Sequence, residues 1–391
     1  MAHVLIGFAE ALPAPEVVFS LRRAGHRVSA FARQSNLPLK HLDLQDLRVI
    51  PAPEEAADRA ILAAADILSV SNDAPDIFLP LDDAGLWLAN ALDATDRIAG
   101  ATGPQATAAL DKAIQIAHAK AAGLDVPQTW DETTLAKGIE CTHYPVIAKP
   151  ALALRVANNM LGKGAPRYLD DRDAAESFLA ERDPKDEPFL AQPLIIGRGE
   201  GVFGFASAEG VVGWSGHKRV RMMNPHGSGS SACESFKPDP GLCERIEIFL
   251  KSLNWRGAFM VELLRDTDGT PWFMELNGRM WGSMALARRQ ALEYPAWNVS
   301  QAQNPEFVPD VPILSHERLV QRHLGREILH VLFTIRGPKS DFHKSSWPRL
   351  SKSVAGVFKP GRAAGFYNYD PEFPHYYLRD AYWTVKKAFR R

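Results

Sequence analysis

The chain has 391 residues with 45 Lys+Arg against 46 Asp+Glu, a formal net charge of −1, which excludes a global electrostatic pull toward nucleic acid or an anionic membrane. A hydrophobic fraction of 46% and a charged fraction of 23% are those of an ordinary soluble globular protein, long enough for two or three packed units. Three scattered cysteines (Cys141, Cys233 and Cys243) and no CxxC exclude a disulfide framework or a zinc site, and a reducing cytosol is the expected compartment.

The start, Met1-Ala2-His3-Val4-Leu5-Ile6-Gly7-Phe8, reads as a buried strand without the basic n-region of a signal peptide. No apolar run approaches the roughly 20 residues needed to span a bilayer. Residues 1–105 alternate strand and helix signals. Val4–Gly7, Arg27–Phe31 and Ile77–Leu81 read as strands, and Ala14–Ala24, Ala56–Ser69 and Leu86–Leu92 read as helices. That rhythm predicts a small parallel sheet covered by helices. The first βα turn, Gly7-Phe8-Ala9-Glu10, lacks a GxGxxG fingerprint.

Further along, the pattern predicts a helix over Ala106–Ala122, a strand over Pro145–Lys149 and a helix from about Asp173. Strand signals then dominate: Phe189–Ile196, Gly201–Ala206, Val211–Ser215, Gly257–Arg265 and Pro271–Asn277, interrupted by a helix over Pro240–Leu253. Gly199-Glu200-Gly201-Val202-Phe203-Gly204 formally matches GxGxxG, but it runs into a strand rather than a helix, so no dinucleotide site is expected there. Residues 315–391 carry 15 Lys+Arg against 6 Asp+Glu and many aromatics, whereas the first 314 residues carry a net charge of −10. This segment reads as a separate basic appendage, helical at both ends. Arg318, Arg322 and Arg326 recur every four residues, which would line them along one helix face.

The most informative chemistry lies at a turn. Gly257–Leu264 and Pro271–Asn277 flank an Asp268-Gly269 step, the strongest short-range signal for a two-residue hairpin. With those two as the loop, Glu262 falls opposite Glu275, and Asn277 shares the face of Glu275. Two carboxylates across a ladder repel, at a cost of up to ~1 kcal/mol. With an amide oxygen beside them they form a hard, oxygen-only ligand set suited to Mg²⁺ or Mn²⁺. The same residues would also serve as a solvated sheet face.

Lys149 ends an apolar strand and Lys112 begins a helix after Asp111; each is a surface lysine or a phosphate contact. Gly227-Ser228-Gly229-Ser230-Ser231 is a polar loop or an anion nest. His217-Lys218-Arg219-Val220-Arg221 continues a strand, placing Arg219 and Arg221 on one face with His217 beside them. The cluster suits an anion, or a charged edge that resists aggregation.

In this order the features resemble the ATP-grasp superfamily, in its carboxylate–amine or carboxylate–thiol ligase-like branch and in the ATP-binding domain of the carbamoyl phosphate synthetase large chain. The resemblance covers roughly residues 1–303 and rests on the Asp111-Lys112 helix, the Val146–Pro150 strand, the hinge Leu190–Gly197, and Glu262…Glu275-Leu276-Asn277-Gly278-Arg279. It implies an α/β (α+β) fold with three parts: a small N-terminal α/β domain (1–105), an ATP-grasp domain (106–303) and the basic C-terminal segment (304–391). The ATP-grasp domain would divide into a lysine-bearing subdomain (106–188) and a nucleotide and metal subdomain (189–303).

Carried over residue by residue, the resemblance implies that Lys112 and Lys149 contact ATP phosphates and that Gln192 and Leu194 lie at the adenine hinge, with Glu200 near the ribose. Glu262, Glu275 and Asn277 would hold Mg²⁺ or Mn²⁺. Arg279 would face the transferred phosphate or a substrate carboxylate, and the separate Arg219 and Arg221 cluster suits the triphosphate or an anionic substrate. The chain departs from the pattern at Pro193, where the hinge often carries Glu, and at Met260, where several ligases carry Arg. The expected activity is ATP-dependent ligation of an acid to an amine or thiol through an acyl phosphate, releasing ADP and phosphate. A small-molecule kinase, a carboxylase, or a nucleotide-binding module without turnover are the alternatives. The expected partners are ATP, an acid and a nucleophile. The basic C-terminus leaves room for an acidic partner or a membrane surface, and the N-terminal sheet for a homodimer.

Overall fold

The computed structural model describes the chain except residues 70–72, 93, 140–142, 184, 228, 315–317, 339–343, 345–346, 359–363 and 390–391. Four parallel strands open it: β1 (His3–Gly7), β2 (Arg27–Ala32), β3 (Leu47–Val49) and β4 (Ile77–Pro80), in spatial order β3-β2-β1-β4. The crossovers carry α1 (Ala14–Arg23) and α2 (Ala57–Ser69), and α3 (Asp83–Ala91) follows β4. β1 and β4 are buried along their whole length, as expected of a parallel sheet covered on both faces. Asp82 caps α3 by accepting from the Gly85 N–H at 2.7 Å, so the carboxyl end of β4 runs directly into a helix N-terminus.

The predicted single helix over Ala106–Ala122 is two helices, α4 (Gly103–Leu110) and α5 (Lys112–Ala121). Asp111 interrupts them in an extended conformation (φ −121°, ψ 108°) and accepts from the N–H groups of Ala113 and Ile114. Its carboxylate favours an N-cap over a helix interior, and the break sets Lys112 at the head of α5. After α6 (Glu132–Gly138), a small antiparallel sheet forms from β5 (Val146–Pro150), β8 (Arg167–Leu169) and β9 (Phe189–Pro193), with β5 central. The hairpin of β6 (Arg155–Ala157) and β7 (Met160–Gly162) lies between β5 and β8, and α7 (Arg172–Ala180) follows β8.

The large sheet has seven strands in the order β14-β13-β10-β11-β12-β15-β16: β10 (Gly197–Ser207), β11 (Gly210–Met222), β12 (Ser230–Phe236), β13 (Gly257–Asp266), β14 (Pro271–Asn277), β15 (Val320–Arg322) and β16 (Ala364–Phe366). One face, carrying Val202, Val261, Leu263, Phe273 and Leu276, packs on α5 and on α8 (Pro240–Ser252). The other, carrying Phe203, Phe205 and Met260, packs on Trp281, on α9 (Met284–Arg289) and α10 (Tyr294–Gln303), and through them on Val17 and Val18 of α1. The N-terminal sheet and the large sheet therefore share one apolar core.

The C-terminal segment is not the separate appendage expected from its composition. β15 and β16 extend the large sheet beyond β12. The terminal helix Tyr376–Phe389 packs on α11 (Leu324–Arg336), and its Trp383 Nε1 donates to the Asn36 carbonyl at 3.0 Å. Nor do Arg318, Arg322 and Arg326 share a helix face: Arg318 precedes β15, Arg322 ends it and Arg326 sits in the first turn of α11. His323 caps that helix, so the strand stops where the helical spacing was expected to continue. Among the described residues no helix is long and apolar enough to cross a membrane.

Candidate active site

The β13–β14 hairpin sets Glu262 directly opposite Glu275, and Met260 opposite Asn277. The loop differs from the two-residue turn expected. Asp266 N donates to Thr270 O at 3.1 Å, leaving a three-residue loop closed by Gly269 at φ +90°. A register shift between Glu262 and Leu263 then gives β14 one extra residue and restores the pairing expected at the carboxylates. Because Gly201 pairs with both Glu262 and His217, the carboxylates share a sheet face with His217 and Arg219.

On that face Arg219 Nη2 donates to Glu262 Oε1. The glycines of the formal GxGxxG make room for this row. A Cβ at Gly199 would stand 2.5 Å from Arg219 Cδ, and one at Gly201 would stand 2.6 Å from His217 Cε1. Burial, followed by repulsion from Glu275, pushes the Glu262 carboxyl above the ordinary range against the pull of Arg219 and Arg279. His217 is 5% exposed and burial holds it neutral, its pKa pulled down to about 3; its Nδ1 lies 2.7 Å from the Ser283 hydroxyl. Asn277 turns its amide nitrogen toward Met260 Sδ at 3.8 Å.

Two lysines face this cluster. Lys149 lies within the field of Glu275, Glu262 and Lys112, and burial, which outweighs the two carboxylates, pulls it from the ordinary 10.5 down to about 8. Lys112 also acts on Asp83 and Glu187. Arg279 Nε donates to Asp83 Oδ1 at 3.0 Å. Lys163, which sequence reasoning passed over, reaches Asp83 at 3.9 Å. Asp82 and Asp83 were also missed. Their signal was position: acids at the carboxyl end of a buried parallel strand face the crevice where such sheets bind ligands. Burial raises Asp82 to about 6, while Arg279 and Lys163 outweigh burial at Asp83 and hold it below the usual carboxylate range.

Three expected site residues lie differently from the others. Gln192 is 2% exposed, shares the face of Lys149, and donates from Nε2 to Thr129 Oγ1 at 2.8 Å; its Oε1 is buried with no hydrogen-bond partner among the described residues. Glu200 pairs with Leu263, hence points to the sheet face opposite Glu262, where Arg265 Nε donates to it at 2.9 Å. Arg221 does not continue the alternation of His217 and Arg219, because β11 is irregular between Arg219 and Arg221. Its guanidinium is forked onto Glu327 at 2.9 and 2.6 Å. Of the loop Gly227–Ser231, Ser228 lies outside the described residues, and Ser230 and Ser231 begin β12 rather than a nest. Cys141 also lies outside the described residues; Cys233 and Cys243 are free.

Two cavities meet over this face. One, of about 310 Å³, is lined by Glu262, Glu275, Asn277, Arg279 and Arg219. The other, of about 590 Å³, runs from Leu194 and Ile196 of the hinge to Arg219, Arg221 and His226. Arg219 lines both. Among the described residues no group of three or more His, Cys, Asp or Glu is placed to hold a metal. Two carboxylates and one amide would leave a cation's shell to be completed by another oxygen-rich ligand.

A small parallel sheet, a lysine-bearing antiparallel sheet and a large sheet with paired carboxylates together make the ATP-grasp fold. The chain is similar in structure to N5-carboxyaminoimidazole synthetase from Staphylococcus aureus, with a TM-score of 0.60 and 14% identity over 83% of each chain. It is similar to L-amino acid ligase from Bacillus licheniformis, with a TM-score of 0.56 and 17% identity over 78% of this chain and 76% of that one. Biotin carboxylase from Campylobacter jejuni matches with a TM-score of 0.60 and 17% identity over 82% of this chain and 74% of that one. No family profile and no curated protein matches the sequence.

Proposed function

We propose that the chain is an ATP-dependent ligase that activates a carboxylic acid and joins it to an amine or thiol, with release of ADP and phosphate. The observation that carries the reading is the placement of Glu262 across from Glu275 on the face that Asn277 and Arg219 share, with Arg279 lining the same cavity and Lys149 within the field of both carboxylates. The donor set fits Mg²⁺ or Mn²⁺, being hard, oxygen-only and incomplete without phosphate oxygens. ATP also fits, since the buried, unpartnered Oε1 of Gln192 is an acceptor awaiting a donor beside the hinge. The structural neighbours include the Staphylococcus aureus synthetase complexed with ADP.

Metal-bound ATP would supply a phosphoryl group whose charge is already partly neutralised. The chain's own residues do the rest. Glu262, Glu275 and Asn277 would hold the cation, and Lys149 and Lys112 would set positive charge along the phosphates. Arg279, fixed by Asp83, stands over the oxygens that gain charge as the acid's carboxylate attacks the terminal phosphorus and the bond to ADP breaks. The resulting acyl phosphate is attacked by the amine or thiol, which forms the new bond and expels phosphate.

The test is an ADP- and phosphate-release assay on acid–amine pairs, with product analysis and the Glu275→Ala variant in parallel. Equal ADP, phosphate and amide or thioester, all lost in the variant, supports the reading. AMP formation, or full turnover in Glu275→Ala, overturns it. Phosphate retained on the product would mark a kinase instead, and a requirement for bicarbonate a carboxylase.

A further inference from the structure

Arg326 is a half-buried cation that makes no ion pair among the described residues. Its Nη1 donates to the Ser230 carbonyl at 3.2 Å, and no carboxylate lies within 4.0 Å of its guanidinium among the described residues. Its neighbours in sequence behave otherwise, since Arg322 and Arg221 both reach Glu327. The nearby acid Asp380 is taken by His323 Nε2 at 3.0 Å and by Asn368 Nδ2 at 2.8 Å. A half-buried guanidinium that lines two cavities and touches no carboxylate is placed to receive an anion from them.

The place of Arg326 says what kind of anion. It lines the carboxylate cavity of about 310 Å³ and also a second cavity of about 290 Å³, roofed by α11 and the terminal helix. The two cavities meet at Ala11, Leu12 and Arg326. The second is apolar over most of its wall, with Leu39, Leu329, Tyr376 and Trp383 facing Leu12 and Pro15. Its volume lies at the lower end of the roughly 300–1,000 Å³ usual for small-molecule pockets.

We infer that this second cavity receives the body of the acid substrate, and that Arg326 holds its carboxylate at the junction facing Glu262 and Glu275. The substrate is then a small carboxylic acid with an apolar, ring-sized body. The inference deepens the ligase reading and rests on it for the fate of the carboxylate. Binding of the acid itself needs no nucleotide.

The experiment uses the full chain and compares 3-phenylpropionate, its neutral amide 3-phenylpropionamide, propionate and the polar acid glycerate. Binding is read by calorimetry without nucleotide, and acid-dependent ADP release with Mg-ATP. The expected result is binding of 3-phenylpropionate in preference to its amide and to glycerate. Arg326→Gln should weaken that binding at least about thirtyfold, the loss typical of a buried charge contact, with Mg-ATP binding kept. Ala388→Trp, on the exposed mouth of the cavity, should exclude 3-phenylpropionate and spare propionate. That size-dependent split would not follow from a purely structural role, and it decides the matter if Arg326→Gln fails to fold. Equal binding of acid and amide, preference for glycerate, or an Ala388→Trp variant with unchanged size preference overturns the inference. Loss of Mg-ATP binding or turnover alone would count against the ligase reading and leave this one to the binding data.

Discussion

Glu262 faces Glu275 across a β-ladder, and Arg219 from the next strand but one donates to Glu262. Opposed carboxylates on one face destabilise a hairpin by up to about 1 kcal/mol, so the pair costs the fold something that function must justify. Glu275→Gln keeps shape and hydrogen-bonding reach while removing one of the two charges. The variant is expected to unfold at the same or a higher urea midpoint, by up to about 1 kcal/mol. ADP release should fall by at least about a hundredfold, roughly 2.7 kcal/mol of transition-state stabilisation. A variant that lost stability and activity together would show the pair to be structural.

Arg219 donates to Glu262, one of the two carboxylates proposed to hold the cation. A metal reaching Glu262 must therefore compete with it, and the set lacks a third carboxylate. Mn²⁺ alone is expected to bind weakly, and much more tightly once ATP supplies further oxygens. Arg219→Ala should tighten nucleotide-free Mn²⁺ binding while slowing turnover, opposite signs for one substitution. Electron paramagnetic resonance of free Mn²⁺, set beside ADP release, reads both. Weaker Mn²⁺ binding in Arg219→Ala would move the metal elsewhere.

The hairpin shows how far the sequence carries. Asp268-Gly269 located the turn, and the expected pairing of Glu262 with Glu275 is the observed one. It arises by a different route, since a three-residue loop shifts the register and an extra residue in β14 shifts it back. Neither device has a signature in residue type. Other differences have a common cause in tertiary partners. Arg221 leaves the alternation of β11 because Glu327, more than a hundred residues on, takes it. Glu200 finds Arg265 on the helix-covered face. The Ala-rich run 106–122 was legible as helix, and so was a helix start at Lys112 after Asp111; the single span over Ala106–Ala122 fails because the Asp111 carboxylate caps α5. The basic C-terminal segment was read by composition, which does not show a strand as short as Val320–Arg322 joining a sheet.

Lys149 carries a pH signature. Burial holds its pKa at about 8 against 10.5 for an ordinary lysine, so the free protein loses this charge as pH rises through about 8. kcat/KM for ATP, which reports the free enzyme, should fall across that window. Lys149→Arg, charged throughout, should flatten the profile at a lower plateau. Stability should move the other way. Between about pH 8 and 10.5 the unfolded chain binds more protons at this residue than the folded one, so its contribution to stability rises with pH there. A kcat/KM profile unchanged in Lys149→Arg would remove this lysine from the phosphate site.

Glu327 ties the C-terminal segment to the large sheet. Its side chain is fully buried and accepts from Arg221 at 2.9 and 2.6 Å, from the Ser231 hydroxyl at 2.8 Å and from Arg322 at 3.2 Å. One carboxylate thus compensates two guanidinium groups withdrawn from water. Removing the negative charge alone leaves both uncompensated, and breaking a buried pair in this way costs about 3–5 kcal/mol. Glu327→Gln is therefore expected to lower the urea midpoint by that amount. Removing both charges is gentler, because no orphaned ion remains in the apolar interior. Arg221→Met combined with Glu327→Gln should recover part of the loss, since only Arg322 then lacks its partner. A double-mutant cycle on urea midpoints measures the coupling. Strictly additive losses would mean that Arg221 and Glu327 act independently, and that the fork from Arg221 does not fasten the C-terminal segment to the sheet.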